Sequence, residues 1–371
     1  MPTGHPDSLP SGPLSTELFA GPLELLHTGS VWAEGPVWVP SSQTVRWSDI
    51  PNDRILEFDP ATGRAREYAT GVEFTNGRTL DAEGRVVQCS HGLRRVERDD
   101  DGVVTGLVDR FEGRRLNSPN DVVVARDGAI WFTDPPYGIL PGTVEGHEGE
   151  QEYGGCYVFR FDPTTAELTP VITDMVHPNG LAFSPDESLL YVADTAGSAH
   201  GVPFRIAVYD VAAHGERDNV AAHDPRDNIA ADDAPEDIAA DDTLEDNARD
   251  SLAADDARAS LAADAARDSL AADDARPPMC SGGRTFVAFD DDYPSDGFRV
   301  DTEGRIWTSA GASVQVFSPD AGLLASVELP ERVANLCFGG RDGQDLYITA
   351  TTSLYRIRTA ARDATSAAGR G

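Results

Sequence analysis

One unit recurs six times along this chain, and it restricts the possible folds more than any other feature. An apolar strand is followed by a turn of the Asp-Gly or Glu-Gly type, and then by a second strand that carries Trp or Tyr. The copies read "PVWVPSSQTVRWSD" (36–49), "TLDAEGRVVQCSH" (79–91), "VVVARDGAIWFTD" (122–134), "LAFSPDESLLYVAD" (181–194), "FRVDTEGRIWTSA" (298–310) and "CFGGRDGQDLYITA" (337–350). Further strand-and-turn sequence follows the copies, as in "RILEFDPATGRAREY" and "CYVFRFDPTTAELTPV". Four short strands recurring at a spacing of about 40–50 residues predict the blades of a propeller. The fold class expected is therefore all-β, a six-bladed β-propeller. Stacked solenoid helices are a poor alternative, because Gly, Pro and β-branched residues punctuate the sequence every dozen positions.

The pattern breaks once. Between "FRIAVYDV" and "RTFVAF" lies an acidic low-complexity stretch in which "IAADD" recurs at 229 and 238, and "SLAAD" at 251, 260 and 269. A nine-residue period puts successive Leu residues on opposite sides of a helix, so no continuous apolar stripe forms. The stretch reads as an insertion over 213–280 in a hairpin of blade four, without a packed structure of its own. The propeller is expected over 22–358, flanked by unstructured segments at 1–21 and 359–371. The last repeat, ending in "SLYRIR", is one strand short, and "PLELLH" (22–27) is placed to supply it.

Composition narrows the partners. The formal charge is −33, of which residues 214–276 contribute −13; every basic residue is Arg. A surface of that sign repels nucleic acid and anionic membrane, which bind through clustered basic groups. No apolar run reaches the roughly 18 residues of a membrane span, and the first residues lack the features of a signal peptide. The expectation is a soluble cytoplasmic protein with no nucleic-acid or membrane partner. The four cysteines (Cys89, Cys156, Cys280, Cys337) have no C-x-x-C spacing and read as reduced core residues.

Aligning the repeats isolates the candidate chemistry. The residues preceding the first strands are Glu34, Asn76, Asn120, Asn179, Asp296 and Asn335, all carboxylate or carboxamide. The innermost strand of each blade lines a propeller's channel, so these six form a ring at one mouth of it. A second set stands 14 or 15 residues on: Asp49, His91, Asp134 and Asp194, with Gly311 and Ala350 in the last two repeats. Such residues also favour turns at strand entries, since they bond their own backbone. Six aligned positions with two carboxylates nonetheless point to a site, and converging carboxylates call for a cation, with oxygen ligands suited to calcium, magnesium or manganese.

At "EGPVW" (34–38), "LNSPNDVVV" (116–124), "WFTDPPYG" (131–138), "PNGLAFSPDE" (178–187) and "SDGFRVD" (295–301) the chain resembles the family of gluconolactonase, senescence marker protein and luciferin-regenerating enzyme. The resemblance covers roughly residues 22–358 apart from the acidic stretch. It implies a propeller with one axial divalent cation, calcium first, with magnesium, manganese or zinc as alternatives. It also implies hydrolysis of a small sugar lactone or related ester. The metal ligands it implies are Glu34, Asn179 and Asp296, with Asn120 as a further axial residue that contacts substrate and in some members the metal. Asp121 matches a position near substrate. Vertebrate-type members carry Arg where this chain has Ser118, and "NSPND" looks like the bacterial branch.

Chemistry and resemblance together yield an expected mechanism in which the cation polarises the lactone carbonyl and a carboxylate activates water. Asp296 is the first candidate base and Asp121 the second, with Asn120, Asn76, His91 and Asp134 expected around the substrate. The chain has no G-x-S-x-G nucleophile elbow. Two other functions fit the same ring: an arylesterase or phosphotriesterase, and a non-catalytic binding propeller with a structural ion.

Overall fold

The computed structural model describes residues 10–212, 279–290 and 294–365. They form six four-stranded antiparallel sheets. The innermost strands are Ala33–Val39, Thr75–Leu80, Val122–Val124, Pro178–Phe183, Phe298–Val300 and Val333–Gly339. Each touches the inner strand of the next blade, and the last returns to the first. The chain is thus a six-bladed β-propeller, as its repeats predict.

The recurring turn has a specific cause. In "LDAEGRVV" and "VDTEGRIW" the carboxylates of Asp81 and Asp301 each accept two backbone N–H groups, from Glu83 and Arg85 and from Glu303 and Arg305. The same Arg side chains close back on them at 2.8 and 2.6 Å. Trp307 of the following strand adds its indole N–H to Asp301 at 2.8 Å, joining turn to core.

The apolar core lies between blades. Trp38 and Tyr347 stack across blades one and six with ring centroids 5.7 Å apart, Trp131 meets Phe183 across three and four, and Trp307 meets Phe338 across five and six. All four cysteines are buried and free. Among the described residues no helix is long and apolar enough to cross a membrane.

Blade six takes its outer strand from the other end of the chain. Glu24–Thr28 pairs with Ser353–Arg358, and Arg356 bonds Glu24 across the seam at 2.7 Å. In blade four, Phe204–Val211 pairs with Cys280–Phe289. The acidic stretch connects these two strands, and over 213–278 it lies outside the described residues.

The expectation of unstructured ends is corrected where the ends are described. Ser11 bridges to Ser326, Phe19 to Thr359, and Asp363 to Asp301. Leu18 and Phe19 are buried in the cluster between blades five and six, with Phe19 edge-on to Trp307 at 5.4 Å. Ala361 joins the same cluster. The physical reason is that this seam presents more apolar surface than its own strands cover.

A second correction concerns Asp134, expected beside substrate. Its carboxylate has no solvent exposure; it accepts the Asn117 N–H at 2.7 Å and the Tyr153 hydroxyl. Asp49 likewise collects the N–H groups of Val31 and Trp32, and Asp194 those of Val176 and His177. These three aspartates clamp the loop that leads into the inner strand of their own blade.

Two outcomes follow. Leu18→Ala should cost about 2–5 kcal/mol in urea unfolding, and deletion of residues 1–28 should abolish the cooperative transition because blade six loses a strand; an unchanged midpoint in the first case would show that the segment does not hold the seam. Burial pushes the Asp134 pKa up to about 7, against about 3.9 for an unfolded chain. The folded state then holds a proton that the unfolded state releases, so stability falls as pH rises from about 4 to 7. Asp134→Asn keeps an oxygen acceptor without the charge, and its melting temperature should decline less than wild type over that window; parallel profiles would refute this.

Candidate functional site

Four of the six residues at the inner-strand entries lie at irregular pairing. Register shifts fall between Glu34 and Val37, Thr75 and Arg78, Pro178 and Leu181, and Val333 and Asn335. A bulge re-aims a side chain that regular pleating would direct elsewhere. The residue after the ring position is often glycine, and the reason is proximity. A Cβ on Gly77 would lie 2.4 Å from Asp121 Oδ1 and 2.6 Å from the Asn120 carbonyl oxygen; on Gly180 it would lie 2.3 Å from the Asp296 carbonyl oxygen. Their N–H groups donate across the blade boundary, Gly77 to Asn120 at 2.8 Å and Gly180 to Asp296 at 3.2 Å. The "NG" pairs therefore stitch one blade to the next, and Asn179 is not a hairpin turn.

Three carboxylates face this mouth. Glu34 is buried, and its Oε2 accepts the Gly35 N–H at 2.6 Å and the Asn335 amide at 3.2 Å. Burial, followed by the nearby charge of Asp296, raises the Glu34 pKa well above the ordinary range. Asp296 is partly exposed. Its pKa is also raised, first by burial, with Arg332 opposing and Glu145 and Asp121 reinforcing the shift. Asp121 is buried to 1% exposure; its Oδ1 accepts the Val122 N–H at 2.9 Å, and Arg299 stands 3.9 Å away. Of the two carboxylates considered as bases, Asp296 is the one that solvent reaches.

Three of the four ring carboxamides are held through their amide nitrogen, whereas Asn335 also accepts the Leu336 N–H at 2.8 Å. Asn179 donates its Nδ2 to Thr195 Oγ1 at 3.3 Å, and that hydroxyl also meets the Tyr137 hydroxyl. Asn76 and Asn120 direct their Nδ2 atoms toward His91 Nε2, at 3.3 and 3.5 Å. His91 itself has no solvent exposure, and burial lowers its pKa to about 4. Its expected place against substrate is corrected: the ring lies behind Asn76 and Asn120 rather than at the surface of the channel.

Sequence reasoning missed Glu145 and Arg332. Both act on Asp296, yet Glu145 lies in the loop after the turn Tyr137–Ile139 and Arg332 in the link before the sixth inner strand. Neither position recurs from repeat to repeat, so alignment of the repeats carries no sign of them. A shallow hollow of about 310 Å³ lies along this loop between Tyr137 and Glu145.

Among the described residues no three His, Cys, Asp or Glu side chains are grouped to hold a metal. Glu34, buried, and Asp296, partly exposed, are nevertheless two carboxylates close enough for the Asp296 charge to raise the proton affinity of Glu34, with carboxamides alongside. Two carboxylates completed by neutral carboxamide oxygens fit a hard divalent ion, not a soft one.

Comparison with known proteins agrees with this arrangement of blades. The model of the SMP-30/Gluconolactonase/LRE-like region matches residues 32–241 and 253–352. The chain is 28% identical over 361 residues to a gluconolactonase of Zymomonas mobilis, covering 91% of this chain and 81% of that protein. It is 25% identical over 356 residues to the pentonolactonase XacC of Haloferax volcanii, covering 94% and 88%. Among solved structures, a gluconolactonase from Xanthomonas campestris matches with a TM-score of 0.73 and 30% sequence identity over 97% of each chain. With most of its length matched by the family model, this chain belongs to the SMP-30/gluconolactonase/LRE-like family.

Proposed function

We propose that this protein hydrolyses a sugar lactone at the channel mouth, with Asp296 as the general base. The observation that carries the reading is the pairing of Asp296, partly exposed and of raised pKa, with buried Glu34 inside a ring of carboxamides. Relatives named gluconolactonase and pentonolactonase over most of their length support the substrate class.

A base works best when its pKa lies near the operating pH, because it is then both deprotonated and strong enough to accept a proton. Burial moves Asp296 in that direction. In the proposed step Asp296 takes a proton from water as the water oxygen bonds to the lactone carbonyl carbon. The ring C–O bond then breaks, and the departing oxygen takes the proton back, leaving a hydroxy acid. Asn120 and Asn76 face the substrate with their free carboxamide oxygens, and the nearby charges of Glu145 and Asp121 favour proton uptake by Asp296. A divalent cation, calcium first, would be held by Glu34, Asn179, Asp296 and Asn120, and when bound would polarise the carbonyl and stabilise the developing oxyanion.

The test is hydrolysis of a slowly opening γ-lactone, followed by proton release, on protein stripped with chelator and reloaded with single ions. Turnover should vanish on stripping and return with one ion. Asp296→Asn should lower kcat by about 10²–10⁴-fold with an unchanged melting temperature. Full turnover by a folded Asp296→Asn protein would overturn the assignment of the base.

A further inference from the structure

His91 is a titratable side chain in contact with two ring residues from different blades, and its own surroundings fix which nitrogen carries the proton. Nδ1 lies 3.0 Å from the backbone carbonyl oxygen of Glu145. A carbonyl oxygen can only accept, so Nδ1 is the protonated nitrogen and Nε2 presents a lone pair. That lone pair can only accept, so the atoms that Asn76 and Asn120 turn toward it are their NH₂ groups, at 3.3 and 3.5 Å. The amide orientation of both residues follows from one backbone carbonyl. Among the described residues no donor meets either Oδ1, which leaves both oxygens free on the side away from His91.

The imidazole has no room to choose otherwise. A Cβ on Gly138 would fall 2.6 Å from His91 Cβ and 2.9 Å from Ser118 Cβ, and one on Gly146 would fall 2.1 Å from the Gly138 carbonyl oxygen. The loop that carries Glu145 is folded tightly over the imidazole, and Glu145 is also the carboxylate that acts on Asp296.

We propose that His91 is a positioning residue: its Nε2 lone pair holds Asn76 and Asn120 with their oxygens toward the substrate, and its Nδ1–H ties that orientation to the rim loop through Glu145. The inference rests on the proposed function in taking those two oxygens as substrate-facing. It differs from an ordinary packing role, in which any side chain of similar volume would serve.

Two measurements test it. The first needs no turnover: a long-range ¹H–¹⁵N correlation spectrum of the wild-type protein labelled on histidine should show His91 as the Nδ1–H tautomer, the less common form for a histidine, and an Nε2–H tautomer would overturn the proposal even if the protein proves to be no lactonase. The second separates the two nitrogens. His91→Gln places an acceptor near the position of Nε2, whereas His91→Asn reaches only the position of Nδ1. The Gln variant should keep most of kcat, while the Asn and Leu variants lose about 10–100-fold in kcat with a smaller change in KM. An Asn variant as active as the Gln variant, or a Leu variant that loses only melting temperature, would overturn the proposal.

Discussion

Everything at the channel mouth depends on how closely the inner strands approach one another. Backbone of one blade rests against backbone of the next at Gly77 and Gly180, at distances that leave no space for a Cβ. The N–H groups there find their acceptors in the neighbouring blade, so buried polar backbone is satisfied at the seam rather than within a single sheet. This contact sets the diameter of the ring. It brings Asn335 of blade six within reach of Glu34 in blade one and of Asp121 in blade three. A wider ring would separate those groups and relax the electrostatic pressure on Glu34 and Asp296.

That pressure is the chemical content of the site. Acidic side chains placed together out of water raise one another's proton affinity, because desolvation and like charge act in the same direction. Arginines stand nearby but not among them: Arg299 is 3.9 Å from Asp121, and Arg78 is spent on the Gly35 carbonyl oxygen and the hydroxyls of Ser48 and Thr75. The result is a graded set, with Asp121 compensated and enclosed, Glu34 enclosed, and Asp296 open to solvent. Identical functional groups thus acquire different properties from depth and from the charges beside them.

The blades and the ring of six were legible in the sequence because both repeat. Alignment exposes a role that recurs from blade to blade, and the acidic or amide residue at each strand entry is such a role. The second set of aligned residues shows the limit of that reasoning. Asp49, Asp134 and Asp194 recur in three of the six repeats, yet they recur because each of those blades has an incoming loop to clamp. Periodicity reports that a position has a job, not which side of the sheet it faces. His91 occupies the same aligned position with a different task, and its contact with Glu145 crosses to a loop present in one blade only. The docking of Leu18 and Phe19 was invisible for a related reason: a short apolar pair after a polar, Pro-rich start has no period, and only the shape of the seam between blades five and six shows where it belongs.

Blade six joins residues that are distant in the chain, with Glu24 opposite Arg356. On a ribosome the strand Glu24–Thr28 emerges five blades ahead of its partner Ser353–Arg358, so the early strand waits through their synthesis with its hydrogen-bonding edge unpaired. Five blades can assemble in order from nearby contacts, whereas the sixth carries the large loop-closure entropy of the entire chain. Closure of the circle is therefore the slow and vulnerable event in the life of this protein, the interval in which an open edge invites pairing with another molecule.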